Sequence, residues 1–136
     1  MAFVRWEDTY SVDIAMIDDQ HKRLFELLEQ FHEAIRHKQT KRAISDILKG
    51  MANYTVYHFS SEETLMTRHN YPAYLQHKNA HSMFIDKVSN FRERFESGQL
   101  LIPLEIANFL KDWLSNHILF TDKHLGHFIS QQNPTQ

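Results

Sequence analysis

Apolar residues recur at alternating intervals of three and four along four segments of this chain, and this spacing predicts four amphipathic helices. Each such helix can bury its apolar face only against another helix. The stripes contain Leu24, Leu28, Phe31 and Ile35, then Ile44, Leu48, Met51 and Leu65, then Tyr74, Phe84, Val88, Phe91 and Phe95, and finally Ile106, Leu110, Trp113 and Phe120. We therefore predict an all-α fold, an up-down-up-down antiparallel four-helix bundle.

Glycine and proline are scarce, and Pro72, Gly98 and Pro103 fall at the breaks between these stripes. Asp18 and Asp19 can cap the first helix, because an aspartate accepts hydrogen bonds from the free N–H groups of a first turn. The predicted helices cover about 19–37, 41–67, 72–97 and 103–127. An N-terminal arm (1–18) and a polar C-terminal tail (128–136) complete a single predicted domain spanning residues 1–136.

The composition limits which kinds of site the chain can build. It has 136 residues, no cysteine and ten histidines. Disulfides and thiolate metal sites are excluded, so a tightly held metal must rest on imidazole and carboxylate groups. The 15 basic and 17 acidic residues are mixed along the chain, which argues against nucleic acid as a partner. No apolar run resembles a signal peptide or a membrane span, and we expect a cytoplasmic protein.

Seven side chains that can bind metal are set into the stripes or lie close to them. They are His21, His58, Glu62, His77, His81, His117 and Asp122. Glu62 follows His58 by four residues, which places both on one helical face. His81 follows His77 by the same interval. Polar groups on a core stripe are costly unless a partner satisfies them, and a metal ion is one such partner.

The antiparallel arrangement predicts that these seven residues meet. The first and third helices carry their candidates near their starts, and the second and fourth carry theirs near their ends. Asp122 is the exception, because five residues of regular helix turn it about 140° away from His117. Either its side chain reaches in from the helix edge, or a local i→i+5 bulge turns it inward. We favour the bulge, which often occurs at functional sites.

With these residues in place, the chain resembles the bacterial hemerythrins, a family of non-haem di-iron oxygen-binding proteins. The resemblance covers about residues 3–128. It rests on Ile17-Asp-Asp-Gln-His21, His58-x-x-x-Glu62, His77-x-x-x-His81, Trp113-Leu114 and His117-x-x-x-x-Asp122. One departure is Asp13, where relatives commonly carry glycine, and it leaves the local turn of the arm open.

The resemblance implies two iron ions, alternating between Fe2+ and Fe3+ and joined by an oxo or hydroxo bridge. By position, it implies one ion bound by His77, His81 and His117, a second bound by His21 and His58, and both bridged by Glu62 and Asp122. These ligands leave one octahedral position open on the two-histidine ion, where O2 can bind. The remaining histidines are predicted not to be ligands; they are His32, His37, His69, His124 and His127.

The implied function is reversible binding of O2 for storage, transport or delivery, without enzymatic turnover. Ferritin-like oxidases use four carboxylates, whereas two are present here, which favours reversible binding. A di-iron enzyme acting on nitric oxide or peroxide, or an oxygen or redox sensor, remains an alternative. Candidate walls of the O2 pocket are Leu24, Phe59, Trp113 and Leu114. We expect a monomer whose partners are O2 and an oxygen-consuming protein that receives it.

Overall fold

The computed structural model describes residues 2–98 and 103–132, and it forms the predicted antiparallel four-helix bundle. The elements are α1 (Ala15–Arg36), α2 (Lys41–Arg68), α3 (Tyr74–Glu96), α4 (Pro103–Asn116), a π-helical segment (His117–Asp122) and α5 (Lys123–Gln132). The last three form one continuous fourth helix. α2 packs against both α1 and α3, and α4 packs against α1. No strand occurs in the described ranges, and none of their helices is long and apolar enough to cross a membrane.

The start of α1 differs from the prediction, because the helix begins at Ala15 and Asp18 does not cap it. Asp18 lies in the first turn, where its carboxylate turns back toward the arm. It accepts hydrogen bonds from the Val12 N–H at 2.8 Å and from the Ser11 hydroxyl at 2.6 Å. The capping prediction was wrong because α1 begins three residues before Asp18, so that Asp18 and Asp19 both lie inside the helix, and groups of the arm bind the Asp18 carboxylate.

The fourth helix also continues beyond its predicted end at residue 127. α5 extends to Gln132, so residues 128–132 are helical, whereas residues 133–136 of the predicted tail lie outside the described part. Two contacts hold the end of α5 against the end of α2. The Gln132 amide nitrogen donates to the carbonyl of His69 at 3.2 Å. The Gln132 Oε1 lies 2.9 Å from the His69 Nδ1.

The bundle divides into an apolar end and an end that carries the candidate ligands. Buried side chains of the apolar end include Phe31, Ile44, Leu48, Phe95 and Ile106. This end also buries Ser45, whose hydroxyl donates to Glu96 at 2.7 Å. Burial of the apolar faces supplies the main free energy that holds the helices together.

The N-terminal arm is fastened at both of its ends. Near its start, the backbone N–H groups of Phe3 and Val4 donate to the Glu29 carboxylate at 3.0–3.1 Å. Near its end, Asp13 has a φ of 61°, the left-handed conformation that glycine adopts most easily. Aspartate tolerates this conformation better than most residues, and the Asp13 N–H donates to the Ser11 hydroxyl.

Gly126 of α5 lets the arm approach the helix closely. A Cβ at Gly126 would lie 2.2 Å from the carbonyl oxygen of Val12, which is backbone and cannot rotate away. We expect Gly126→Ala to destabilise the protein by about 1–3 kcal/mol through overpacking. Chemical denaturation would measure the free energy of unfolding.

Gly50 provides the matched control, since it is also helical and has no atom within 4 Å of the corresponding Cβ position. Gly50→Ala should stabilise the protein by about 0.5–1 kcal/mol, because alanine loses less conformational entropy in a helix. Equal effects of the two substitutions would contradict the assigned arm contact.

Candidate metal centre

All seven predicted residues are brought together at one end of the bundle. α1 contributes one of them, α2 two, α3 two and the π-helical segment two. Their exposed fractions run from 0% to 5%, and they belong to His21, His58, Glu62, His77, His81, His117 and Asp122. Their ligand atoms form two overlapping groups, in each of which the atoms lie within 4.8 Å of one another. One group has three histidines, the other has two, and both contain the same two carboxylates.

Glu62 lies between the two sets of histidines and presents one oxygen to each. Its Oε1 lies 3.3 Å from His77 Nε2 and 3.0 Å from His81 Nε2. Its Oε2 lies 3.4 Å from His21 Nε2 and 3.3 Å from His58 Nε2. A carboxylate placed in this way can bridge two cations.

Asp122 divides its oxygens in the same manner. Its Oδ1 lies 3.0 Å from His77 Nε2 and 3.1 Å from His117 Nε2. Its Oδ2 lies 3.0 Å from His21 Nε2. The two carboxylates thus face both groups, and the Nε2 atoms of the imidazoles converge on them.

The π-helical segment explains how Asp122 reaches the site. The Lys123 N–H donates to the carbonyl of Ile118, five residues earlier, so the turn is one residue wider than an α-helical turn. The wider turn brings Asp122 onto the face of His117, and both are buried. This confirms the predicted i→i+5 bulge over the alternative of a side chain that reaches in from the helix edge.

Many polar atoms of the site have no hydrogen-bond partner despite their burial. These atoms are both ring nitrogens of His21 and His77 and both carboxylate oxygens of Glu62 and Asp122. Leaving such groups unpaired in a low-dielectric interior is costly. Cations between the carboxylates and the Nε2 atoms would satisfy the metal-facing atoms at once, so the residues present fit metal ions. A set rich in imidazole, with carboxylates and no thiolate, suits iron and other first-row transition metals.

In the protein without metal, the carboxylates and imidazoles of the site shift one another's pKa values. Burial would lower the pKa of His21, but contacts with Asp122 and Glu62 overcome this and raise it to about 9. Burial would likewise lower the pKa of His77, and the same two carboxylates raise it to about 9. In return, burial would raise the pKa of Glu62, but His58 and the other imidazoles hold it well below its usual value.

Two outer contacts orient candidate ligand histidines, and the sequence analysis missed both. The Gln20 Oε1 lies 2.7 Å from His58 Nδ1, and the Glu63 Oε2 lies 3.0 Å from His81 Nδ1. Glu63 is 18 residues from its partner and Gln20 is 38. No helical periodicity links residues on different helices, so only their position next to a ligand in the sequence could have suggested them.

The four predicted pocket residues differ in their position relative to the site. Phe59 stacks on His81, with ring centroids 3.7 Å apart, and Trp113 stacks on His117 at 4.4 Å. These two aromatic rings therefore pack against the three-histidine group. Leu24 and Leu114 are buried in the apolar core, one helical turn from His21 and from His117 respectively.

The remaining histidines lie outside both groups within the described ranges. The imidazole of His124, which continues the fourth stripe, is hydrogen-bonded at 2.5 Å to the hydroxyl of Tyr71. His32 stacks on Phe3 with ring centroids 4.0 Å apart, and His37 pairs with Glu33 on the surface. These three histidines thus contact residues outside the candidate metal centre.

Comparisons with known proteins agree with this geometry. Residues 12–129 match the Hemerythrin HHE cation binding domain. A bacteriohemerythrin of Pseudomonas aeruginosa is 38% identical over 118 residues, which cover 87% of this chain and 76% of that protein. A bacteriohemerythrin of Methylococcus capsulatus is 29% identical over 131 residues, covering 96% of this chain and 99% of that protein.

A solved structure extends the similarity from sequence to fold. The crystal structure of a wild-type hemerythrin matches with a TM-score of 0.88 and 28% identity, covering 95% of this chain and 99% of that chain. The family model spans most of the chain, one relative is 38% identical to it over 118 residues, and the solved hemerythrin has a similar fold. This chain therefore belongs to the hemerythrin family.

Proposed function

We propose that this chain binds dioxygen reversibly at two iron ions held by the seven buried residues. The observation that carries the proposal is the division of each carboxylate, with one oxygen of Glu62 and of Asp122 facing each group of histidines. When bound, an iron pair supplies the electrons that reversible O2 binding requires. Relatives named bacteriohemerythrin and myohemerythrin support the proposal, because they are similar to this chain over most of its length.

The roles we assign follow the two groups. We propose that His77, His81 and His117 bind one ion. His21 and His58 would bind the other. Glu62 and Asp122 would bridge them, together with an oxo or hydroxo group. The two-histidine ion would have the position that accepts a small ligand.

The surroundings of the site support a carrier more than an enzyme. Leu24, Phe59 and Leu114 are buried and apolar, and Phe59 covers one imidazole of the site. Turnover of a larger substrate requires convergent polar groups in a pocket. Apolar walls instead exclude water from the ligand-binding face, which favours release of O2 unchanged. We therefore propose that the protein is not an enzyme and acts in oxygen storage, transport or delivery.

We further infer that this carrier acts as a monomer in the cytoplasm and exchanges O2 with an oxygen-consuming protein. A chain without cysteine needs no oxidising compartment to fold, and its 15 basic and 17 acidic residues are nearly balanced. Size measurement of the purified protein would test the monomer directly.

The proposed function predicts two iron ions per chain and reversible spectral changes. Absorption spectra of the reduced protein should change when O2 is added and return to the reduced form when O2 is removed. We expect His77→Ala to lower the iron content and abolish the oxygenated spectrum, because it removes a ligand that faces both carboxylates.

The matched control is His37→Ala, since His37 is exposed and its imidazole contacts Glu33 and Arg36 on the surface of α1. This variant should keep both ions and the oxygenated spectrum. One ion per chain in the wild-type protein, or iron retained by His77→Ala but lost by His37→Ala, would refute the ligand assignment.

The raised pKa values predict how the stability of the metal-free protein depends on pH. His21 and His77 have folded-state pKa values of about 9, above the usual 6.5. Their contribution to stability is present in full below pH 6.5 and is lost as the pH rises through about 9. Denaturation of the metal-free protein at several pH values should show the free energy of unfolding falling over this window.

The metal-bound protein supplies the comparison, because ligation requires neutral imidazoles and should remove this loss of stability. The His37→Ala variant without metal should retain the same pH dependence as the wild-type protein. A metal-free protein whose stability stayed constant or rose across the window would contradict the assigned charge balance.

Leu114 tests whether apolar walls protect the oxygenated state. Leu114→Ala should destabilise the protein by about 2–5 kcal/mol if the cavity does not collapse. Both iron ions should remain bound. The oxygenated protein should convert to the ferric form faster, and azide should enter faster, since both require access to the same face of the site. Stopped-flow mixing of the reduced protein with O2 would measure these rates.

Leu110 is the matched control, one helical turn earlier on α4 and fully buried. Leu110→Ala should cost similar stability and leave both rates unchanged, because the side chain lies a turn farther from His117. If both variants change the rates equally, general loosening of the core rather than a wall at Leu114 is responsible.

A further inference from the structure

The outer hydrogen bond of His81 ends on a charged group. Its Nε2 faces the site, 3.0 Å from Glu62 Oε1, so the proton of a neutral His81 must be on Nδ1 when Nε2 binds a metal. Nδ1 then donates to the carboxylate of Glu63 at 3.0 Å. The Glu63 side chain is 25% exposed, and its charge is added at the edge of the three-histidine group.

The outer hydrogen bond of His58 ends on a neutral group. The Ser61 hydroxyl donates to the carbonyl of Tyr57 at 3.2 Å, so its oxygen accepts from the Gln20 amide nitrogen at 3.2 Å. These bonds fix the amide so that its Oε1 accepts from His58 Nδ1 at 2.7 Å. Gln20 therefore orients the imidazole of the two-histidine group without adding charge.

This difference separates the two halves of the site. Each group has one histidine held from behind, by a carboxylate in one case and by an amide in the other. By contrast, the Nδ1 atoms of His21 and His77 have no hydrogen-bond partner. The carboxylate and the amide are therefore placed to make the two metal positions electronically unequal.

A carboxylate behind an imidazole changes the electron density at the opposite nitrogen. It draws the Nδ1 proton toward itself in a charge-assisted hydrogen bond, which makes Nε2 a stronger donor to a metal. A stronger donor and a nearby negative charge both stabilise the more highly charged metal state. An amide acceptor fixes the ring plane but draws the proton less and contributes no net charge.

We propose that Glu63 is a positioning residue that makes the three-histidine iron the easier of the two to oxidise, while Gln20 keeps the two-histidine iron harder to oxidise. This inference rests on the proposed iron pair. In the proposed function, a bound iron pair would supply one electron from each ion as Fe2+ becomes Fe3+, and dioxygen would accept both electrons. Glu63 and Gln20 exchange no atoms in this step, and they act only through His81 and His58.

The first variant, Glu63→Gln, keeps a hydrogen-bond acceptor and removes the charge. Anaerobic redox titration, followed by absorption and with an electrode as the electron acceptor, would measure the reduction potential. We expect a rise corresponding to about a tenfold change in the equilibrium constant, or about 59 mV for a one-electron couple. Both iron ions should remain bound.

The matched control is Glu33→Gln, which makes the same chemical change at an equivalent contact. Glu33 Oε2 also lies 3.0 Å from a histidine nitrogen, that of His37, but on the exposed surface of α1. This variant should leave the potential unchanged. A Glu63→Gln variant that keeps both ions and shows the same potential as Glu33→Gln would overturn the proposal.

The reciprocal variant, Gln20→Glu, places a carboxylate behind His58 and should lower the potential. If Glu63→Gln loses iron, Gln20→Glu still tests the proposal. A purely structural role for Gln20 predicts no lowering of the reduction potential in this variant. An unchanged or raised potential in Gln20→Glu, or loss of iron from both variants, would also overturn the proposal.

The wild-type protein separates failure of this inference from failure of the proposed function. Wild-type protein without a reducible iron pair would refute both. Wild-type protein that binds O2 reversibly, with no shift of potential in Glu63→Gln, would refute this inference alone.

Discussion

The burial of two carboxylates at one end of a helical bundle is the constraint on which the rest of this structure depends. Glu62 and Asp122 are 0% and 1% exposed, so neither charge is solvated by water. Such burial is expensive unless opposite charge and directed partners surround the group. Five imidazoles surround the two carboxylates, and each carboxylate divides its oxygens between the two groups of histidines. The same division leaves two adjacent positions where cations would satisfy the unpaired carboxylate oxygens.

The bundle can accommodate this polar cluster because apolar contacts at its opposite end supply most of the stability. The apolar end around Phe31 and Leu48 buries its side chains almost completely, while the candidate ligands come from α1, α2, α3 and the π-helical segment. The π turn brings Asp122 inward. Just after this turn, Gly126 allows the backbone of Val12 in the arm to approach the fourth helix closely.

The two halves of the site share their carboxylates but differ in what surrounds them. The three-histidine group is backed by Glu63 and covered by the stacked rings of Phe59 and Trp113. The two-histidine group has one imidazole fewer and is backed by the neutral amide of Gln20. Under the proposed iron assignment, the smaller set of histidines would leave room for a small molecule on one side, and the charged outer contact would add electron density on the other.

The helices, their antiparallel order and the meeting of the seven candidate ligands could be predicted from the sequence. Helical periodicity, the length of a connecting loop and the position of a candidate along its helix are all properties of single segments. The bulge at Asp122 could be favoured for the same reason, since its angle from His117 is local. Only the tertiary structure decided the contacts between segments. Asp18 binds the arm instead of capping α1, and Glu63 and Gln20 reach histidines on other helices. Such contacts depend on how neighbouring helices rotate and approach, which no single segment encodes.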